Sequence, residues 1–176
     1  MNETPQQYKE RILKLMEGKD SVSVQRETAA RLAKLVEHAQ ADKLGKRHAP
    51  DKWSVSELLA HLAEAEIVSF WRYRQMLEHS GSTIIPFDQD LWYKIGDYRS
   101  RDAKESLQLF RLLRQENLRL FDQMTPEQWQ MGANHAERGA MTIADLVRQM
   151  AGHDINHLAQ IEKLVGAEAG STKASV

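Results

Sequence analysis

The sequence predicts an all-α fold, a four-helix bundle, on two observations. Four long segments, beginning near residues 21, 54, 102 and 142, carry apolar residues at helical spacing. The 176 residues include only four Pro and nine Gly, and no strand-like alternation of useful length appears. Each segment has one apolar stripe to bury, and helices packed side by side bury all four in a shared core.

Taken in order, Thr4-Pro5 reads as an N-cap followed by proline at the first helical position. A short helix with Tyr8, Ile12, Leu13, Leu15 and Met16 follows and stops at Gly18. A second segment starts around 21–23, with Ala29, Leu32, Ala33, Leu35 and Val36 as its stripe, and ends before the 45–50 loop. The residues leave open whether these are two helices or one bent helix. The next start is plainer: Ser54 caps, and Glu57 three residues on completes a capping box. Its stripe runs from Val55, Leu58, Leu59 and Leu62 to Phe70, Tyr73 and Leu77, ending near 79–81. His61 lies on the flank of that stripe, and Glu66 stands inside it, where an apolar residue belongs.

Residues 80–101 form a connection long enough to cross the bundle or cover a pocket. Within it, Trp92 and Tyr93 line a pocket entrance or simply pack the crossover. A helix over 102–123 follows, with Arg114 and Asn117 close to its apolar face. A single turn at 125–129 leads to a polar loop, 132–139, that carries His135. Thr142 and Asp145 open the last helix, whose stripe is Ile143, Leu146, Val147, Met150, Leu158, Ile161, Leu164 and Val165. Residues 1–165 thus read as one domain, and the Gly- and Ala-rich 166–176 as a disordered tail.

Composition narrows the chemistry. A net charge of -1 offers no electrostatic case for nucleic acid or an anionic membrane as partner. The absence of cysteine excludes disulfides, thiolate nucleophiles and cysteine-ligated zinc. The first residues lack the apolar core of a signal peptide, and no apolar run approaches the ~20 residues of a membrane span, so a cytoplasmic protein is expected.

The candidate chemistry sits in the last helix. His153 and His157 are four residues apart and therefore one turn apart on one face. Both turn toward the bundle interior, and joined by His61 from another helix they form a three-histidine set suited to zinc, nickel, copper or iron. The competing reading is three hydrogen-bonded core histidines. Glu66 is the candidate for orientation or proton transfer, and the favoured alternative pairs it with Arg114. His135 reads as a solvated loop residue, with a fourth ligand or a substrate contact as the other possibility. Asp154 reads as solvated or ion-paired rather than as a ligand. His38, His48 and His79 are expected to be exposed, and Met141 and Met150 to fill core space.

Two blocks resemble the DinB-like superfamily: Trp53-Ser54-Val55-Ser56-Glu57-Leu58-Leu59-Ala60-His61 and Gly152-His153-Asp154-Ile155-Asn156-His157-Leu158. Their order and separation match, and the resemblance covers roughly residues 5–165. It implies an up-down-down-up bundle with a long helix 2 to helix 3 crossover, and a metal triad at His61, His153 and His157. It also implies homodimers, zinc or nickel, and a small-molecule substrate. The implied activity is that of a metal-dependent hydrolase or a low-molecular-weight thiol S-transferase. A non-catalytic metal- or ligand-binding bundle in a stress response is the alternative.

Overall fold

The computed structural model describes residues 3–136 and 139–171. The elements in chain order are α1 (Pro5–Lys14), α2 (Ser21–His38), α3 (Ala41–Leu44), α4 (Val55–Glu78), β1 (Thr83–Ile84), α5 (Gln89–Ile95), α6 (Ala103–Phe121), α7 (Pro126–Gln130), β2 (Gly132–His135), β3 (Gly139–Thr142) and α8 (Ile143–Ser171). α1 and α2 are separate helices, parted by a turn in which Gly18 takes a φ of +69°, a left-handed conformation that suits glycine.

Cross-helix contacts settle the direction of each long helix. Along α2 and α8, Gln25 donates to the Val147 carbonyl at 2.9 Å and, further on, Arg31 meets Glu162, so the two run parallel. Along α4 and α6, Glu66 meets Arg114 and Tyr73 meets Phe121, again in parallel. Between α2 and α6, Arg26 near the start of one reaches Asp122 at the end of the other. The bundle is therefore up-down-down-up, and the parallel α4–α6 pair requires the long crossover to return the chain to its starting end.

The crossover contains α5 and one edge of a small sheet, and here the structure corrects the strand-free expectation. The order is β1-β2-β3, with β1 parallel to β2 (Ile84 opposite His135) and β2 antiparallel to β3 (Asn134 opposite Ala140). Strands of two to four residues are too short to show a period of two in sequence. The segment expected to be a polar loop is thus a hairpin pinned to the crossover. A second difference lies at the chain's end: α8 runs to Ser171, past the boundary expected at Val165. The extension carries two glycines, Gly166 and Gly170, each costing a helix about 1 kcal/mol relative to alanine, and the strong helix formers Ala167, Glu168 and Ala169 between them favour helix. The rest of the expected tail, 172–176, lies outside the described residues.

The core is divided. One apolar cluster joins Leu32, Leu59, Leu62, Phe110, Leu158 and Ile161, and the other joins Tyr73, Met76, Phe121, Ile143, Leu146 and Val147. Between the two clusters every long helix buries polar side chains: Gln25 and Thr28 on α2, Glu66 on α4, Arg114 and Asn117 on α6, and Asp154 on α8. A polar layer therefore crosses the bundle at one height, with His61 and His157 beside it.

α1 lies against α8, where Gly152 permits a close approach. A Cβ at that position would stand 2.3 Å from the Ile12 carbonyl oxygen. Alanine normally stabilises a helix interior relative to glycine by about 1 kcal/mol. Here Gly152→Ala is expected to have the opposite sign and lower stability by about 1–3 kcal/mol, because the α1 backbone must move away. Urea unfolding of the two proteins checks this, and a more stable variant would contradict the packing described.

Candidate metal centre

The site begins with a helix start. Ser54 N–H donates to Glu57 Oε2 at 2.8 Å, and Glu57 N–H donates to Ser54 Oγ at 3.3 Å, closing the capping box that opens α4. Glu57 also accepts from Arg47 and from the Tyr93 hydroxyl. Burial opposes its ionisation, but the hydrogen bonds from Arg47, Ser54 and Tyr93 prevail and hold the carboxyl down to about 2. Trp53, just before the cap, stacks on Tyr93 with ring centres 5.5 Å apart and lies 5.3 Å from the ring of His61. The tryptophan-to-histidine block is thus one unit: the cap sets where α4 starts, and two turns later His61 faces inward with Trp53 against it.

His61 then meets α8. Its Nε2 is 3.0 Å from His153 Nε2, and one nitrogen each of His61, His153 and His157 lie within 4.8 Å of one another. Nitrogens about 2.0–2.1 Å from a tetrahedral zinc ion lie about 3.3 Å apart; the His61–His153 pair is near that spacing at 3.0 Å, and the His157 nitrogen lies within 4.8 Å of both. His157 Nδ1–H donates to Gln160 Oε1 at 3.0 Å, which leaves the Nε2 lone pair for the cluster. His61 Nδ1 is buried with no hydrogen-bond partner among the described residues. Burial, with a smaller contribution from His157, holds the His61 imidazole well below its usual range. His157 is pushed down to about 4 by burial, against the Gln160 hydrogen bond. Both rings are therefore neutral at pH 7, the form that binds a metal.

Beside the histidines is a cavity of about 130 Å³. Its lining includes His61 and His153, Tyr8 from α1, Arg72 from α4, Phe87 from the crossover and His135 from β2. No acidic side chain lines it among the described residues.

The remaining candidates fall into place around this centre. Glu66 is outside the cavity lining; its two oxygens accept from Arg114 Nε and Nη2 at 2.9 and 2.8 Å, the pairing favoured from sequence. Asp154 is buried and takes the ion-paired option, accepting from Arg114 Nη1 at 2.6 Å. Burial raises its pKa to about 6; Arg114 pulls it down, and the neighbouring charge of Glu66 pushes it up. Tyr93 packs the crossover against Trp53, while Trp92 contacts Phe87 at 5.1 Å. His38, His48 and His79 are exposed, as expected.

His135 differs from its solvated expectation: it is only 3% exposed and lies in the cavity wall, carried there by strand pairing with the crossover. It is not one of the three clustered ligands. The glycines at 132 and 139 were its available signal, since short segments bounded by glycine read as hairpins. Arg72 was also missed. The steps from His61 to Ala65, Val68 or Ser69, and Arg72 are four, three or four, and three or four residues, which place all of them on one helical face.

The chain belongs to the DinB superfamily, whose model matches residues 26–161. It is 26% identical over 160 residues to YfiT of Bacillus subtilis, covering 90% of each chain. A relative from Oceanobacillus iheyensis, also named as a metal-dependent hydrolase, is 24% identical over 141 residues, covering 80% of this chain and 81% of its own. The solved structure of YfiT, described as a probable metal-dependent hydrolase with an unusual four-helix bundle topology, matches with a TM-score of 0.77 at 22% identity, over 94% of this chain and 90% of that one. A mycothiol-dependent maleylpyruvate isomerase shares the fold at a TM-score of 0.59 and 11% identity, over 77% of this chain and 58% of that one.

The depressed pKa of His157 has a consequence for stability. Its imidazole titrates near 6.5 when unfolded and near 4 when folded. The unfolded state therefore binds more protons between those values, and stability falls as pH drops through that window. Metal-free protein is expected to lose about 2 kcal/mol through this residue between pH 7 and pH 5, a share absent from His157→Gln. Urea unfolding of both proteins at the two pH values measures it; a stability difference between them that does not change with pH would contradict the assignment.

Proposed function

We propose that this protein is a divalent-metal-dependent enzyme acting on a small molecule, either a hydrolase or a low-molecular-weight thiol S-transferase, with zinc or nickel held by His61, His153 and His157. The observation that carries this reading is the convergence of three ring nitrogens beside a cavity. When bound, the cation supplies Lewis acidity, bringing the pKa of a coordinated water or thiol toward neutrality.

The chain's own residues supply the rest. Neutral His61 and His157 add no negative charge that would weaken that acidity. Three protein ligands are the usual number in catalytic zinc sites, whereas structural sites use four. Gln160 holds the His157 ring in the orientation that a ligand needs. Arg72 and His135 bring polar nitrogens to the wall, and among the described residues no acidic side chain there repels a thiolate or a carboxylate. Glu66 acts by orientation rather than proton transfer, because its carboxylate is committed to Arg114 and Asn117 outside the cavity.

The names of the Bacillus and Oceanobacillus relatives support the hydrolase, and the isomerase that shares the fold keeps the thiol chemistry in view. The cavity beside the triad weighs against a non-catalytic bundle. Large exposed apolar side chains, Trp71 at 64% and Ile95 at 71%, support a homodimer. In light scattering, Trp71→Glu is expected to shift a dimeric wild type toward the monomer.

The deciding measurement is metal content, taken on protein purified without a metal-binding tag. Wild type is expected to hold about one equivalent after incubation with zinc or nickel, and His61→Ala, His153→Ala and His157→Ala to bind more than ~100-fold more weakly while remaining helical by circular dichroism. Assays with a chromogenic ester, and with glutathione plus 1-chloro-2,4-dinitrobenzene, then separate hydrolysis from thiol transfer. A folded wild type that takes up no metal would overturn the reading.

A further inference from the structure

The polar layer contains a charge cluster to which the proposed reaction gives no direct part. Arg114 is 1% exposed, among the most buried side chains of the protein. Its guanidinium donates to both oxygens of Glu66 on α4, at 2.9 and 2.8 Å, and to both oxygens of Asp154 on α8, at 2.6 and 3.2 Å. It also donates to the Gln25 carbonyl of α2 at 2.9 Å. Asn117, one turn further along α6, donates to Glu66 Oε1 at 2.8 Å. One side chain of α6 is thereby tied to all three other long helices.

The anchor points stand beside the histidines. Asp154 follows His153 directly, and Glu66 lies little more than one turn after His61. α4 supplies one nitrogen of the triad and α8 the other two.

We propose that Arg114, with Glu66 and Asp154, is a positioning device for the histidine triad: it sets the register and rotation of α4 against α8 so that His61 meets His153 and His157. This rests on the metal-site reading. Apolar contacts, which form both clusters of the core, are non-directional and permit a helix to slide or turn. Forked bonds between a guanidinium and two carboxylates do not, because distance and angle are both prescribed. A metal site has to be held to about 0.5 Å. Stability alone does not account for the cluster, since apolar residues of similar volume commonly replace buried ion pairs with no loss.

The test compares wild type with the triple variant Arg114→Met/Glu66→Leu/Asp154→Leu, all as full-length chains. Three quantities are read: the melting temperature without metal, the zinc dissociation constant by competition with a chromophoric chelator, and the visible spectrum of the cobalt-substituted protein. The triple variant is expected to melt within a few degrees of wild type or above it, yet to bind zinc at least ~10-fold more weakly. Its cobalt bands are expected to weaken and shift as a histidine leaves its place. Removing charge alone would lower affinity and leave the spectrum unchanged. If the triple variant does not fold, Asp154→Asn serves instead, because it keeps the size and one acceptor; a severalfold weaker zinc affinity with altered cobalt bands is expected. A folded variant with the wild-type cobalt spectrum overturns the positioning role alone. A wild type that binds no zinc overturns the metal reading, and this inference with it.

Discussion

A single buried guanidinium constrains this bundle more than any other group. Two carboxylates face Arg114, one from α4 and one from α8, so the layer carries a net negative charge away from water. Such a layer is tolerable only when nearly every donor and acceptor is paired, and the hydrogen bonds from Arg114, Asn117 and Gln25 come close to that. Burial is the main reason the pKa of Asp154 is raised, and the charge of Glu66 adds to it. The apolar clusters lie on either side of the layer, and the hydrogen bonds of Arg114 tie the four helices together between them.

The histidine centre is built on that alignment by local means. A capping box fixes the first residue of α4, and from there the helical repeat places His61, Ala65 and Arg72 on one face. On α8 the same repeat places Leu146, Gln149 or Met150, and His153 opposite them. The cavity is the space between two short rows of side chains, closed on one side by α1 and on another by the crossover and hairpin. Neutral imidazoles follow from that enclosure, because a ring shut away from water resists taking a proton.

Much of this was legible in the sequence, and the division is physical. Helix starts were readable at Ser54 and Thr142 because capping is local chemistry, and the long stripes were readable because the helical repeat is local geometry. His153 and His157 share a turn of α8, so their agreement needed nothing distant. The partnership of Glu66 with Arg114 could be named because Glu66 stood inside an apolar stripe and Arg114 close to an apolar face. His135 could not be placed, since its burial depends on a two-residue strand in the crossover pairing with a segment about fifty residues later. The extension of α8 past Gly166 was hidden for another reason: Gly166 and Gly170 flank three strong helix formers, and glycine marks a helix end only when its neighbours also disfavour helix.

The parallel pairing of α2 with α8 and of α4 with α6 also bears on how the chain folds. In an up-and-down bundle, neighbours in sequence are neighbours in space, and adjacent helices can zip together as hairpins. Here each parallel pair joins segments separated by an intervening connection or by most of the chain, and a larger conformational entropy must be surrendered before those contacts form. His61 and His153, 92 residues apart, belong to this late-forming class. The centre exists only once the longest loops have closed, so a bound cation would act as a clasp on the finished bundle and slow its opening without guiding the early steps of collapse.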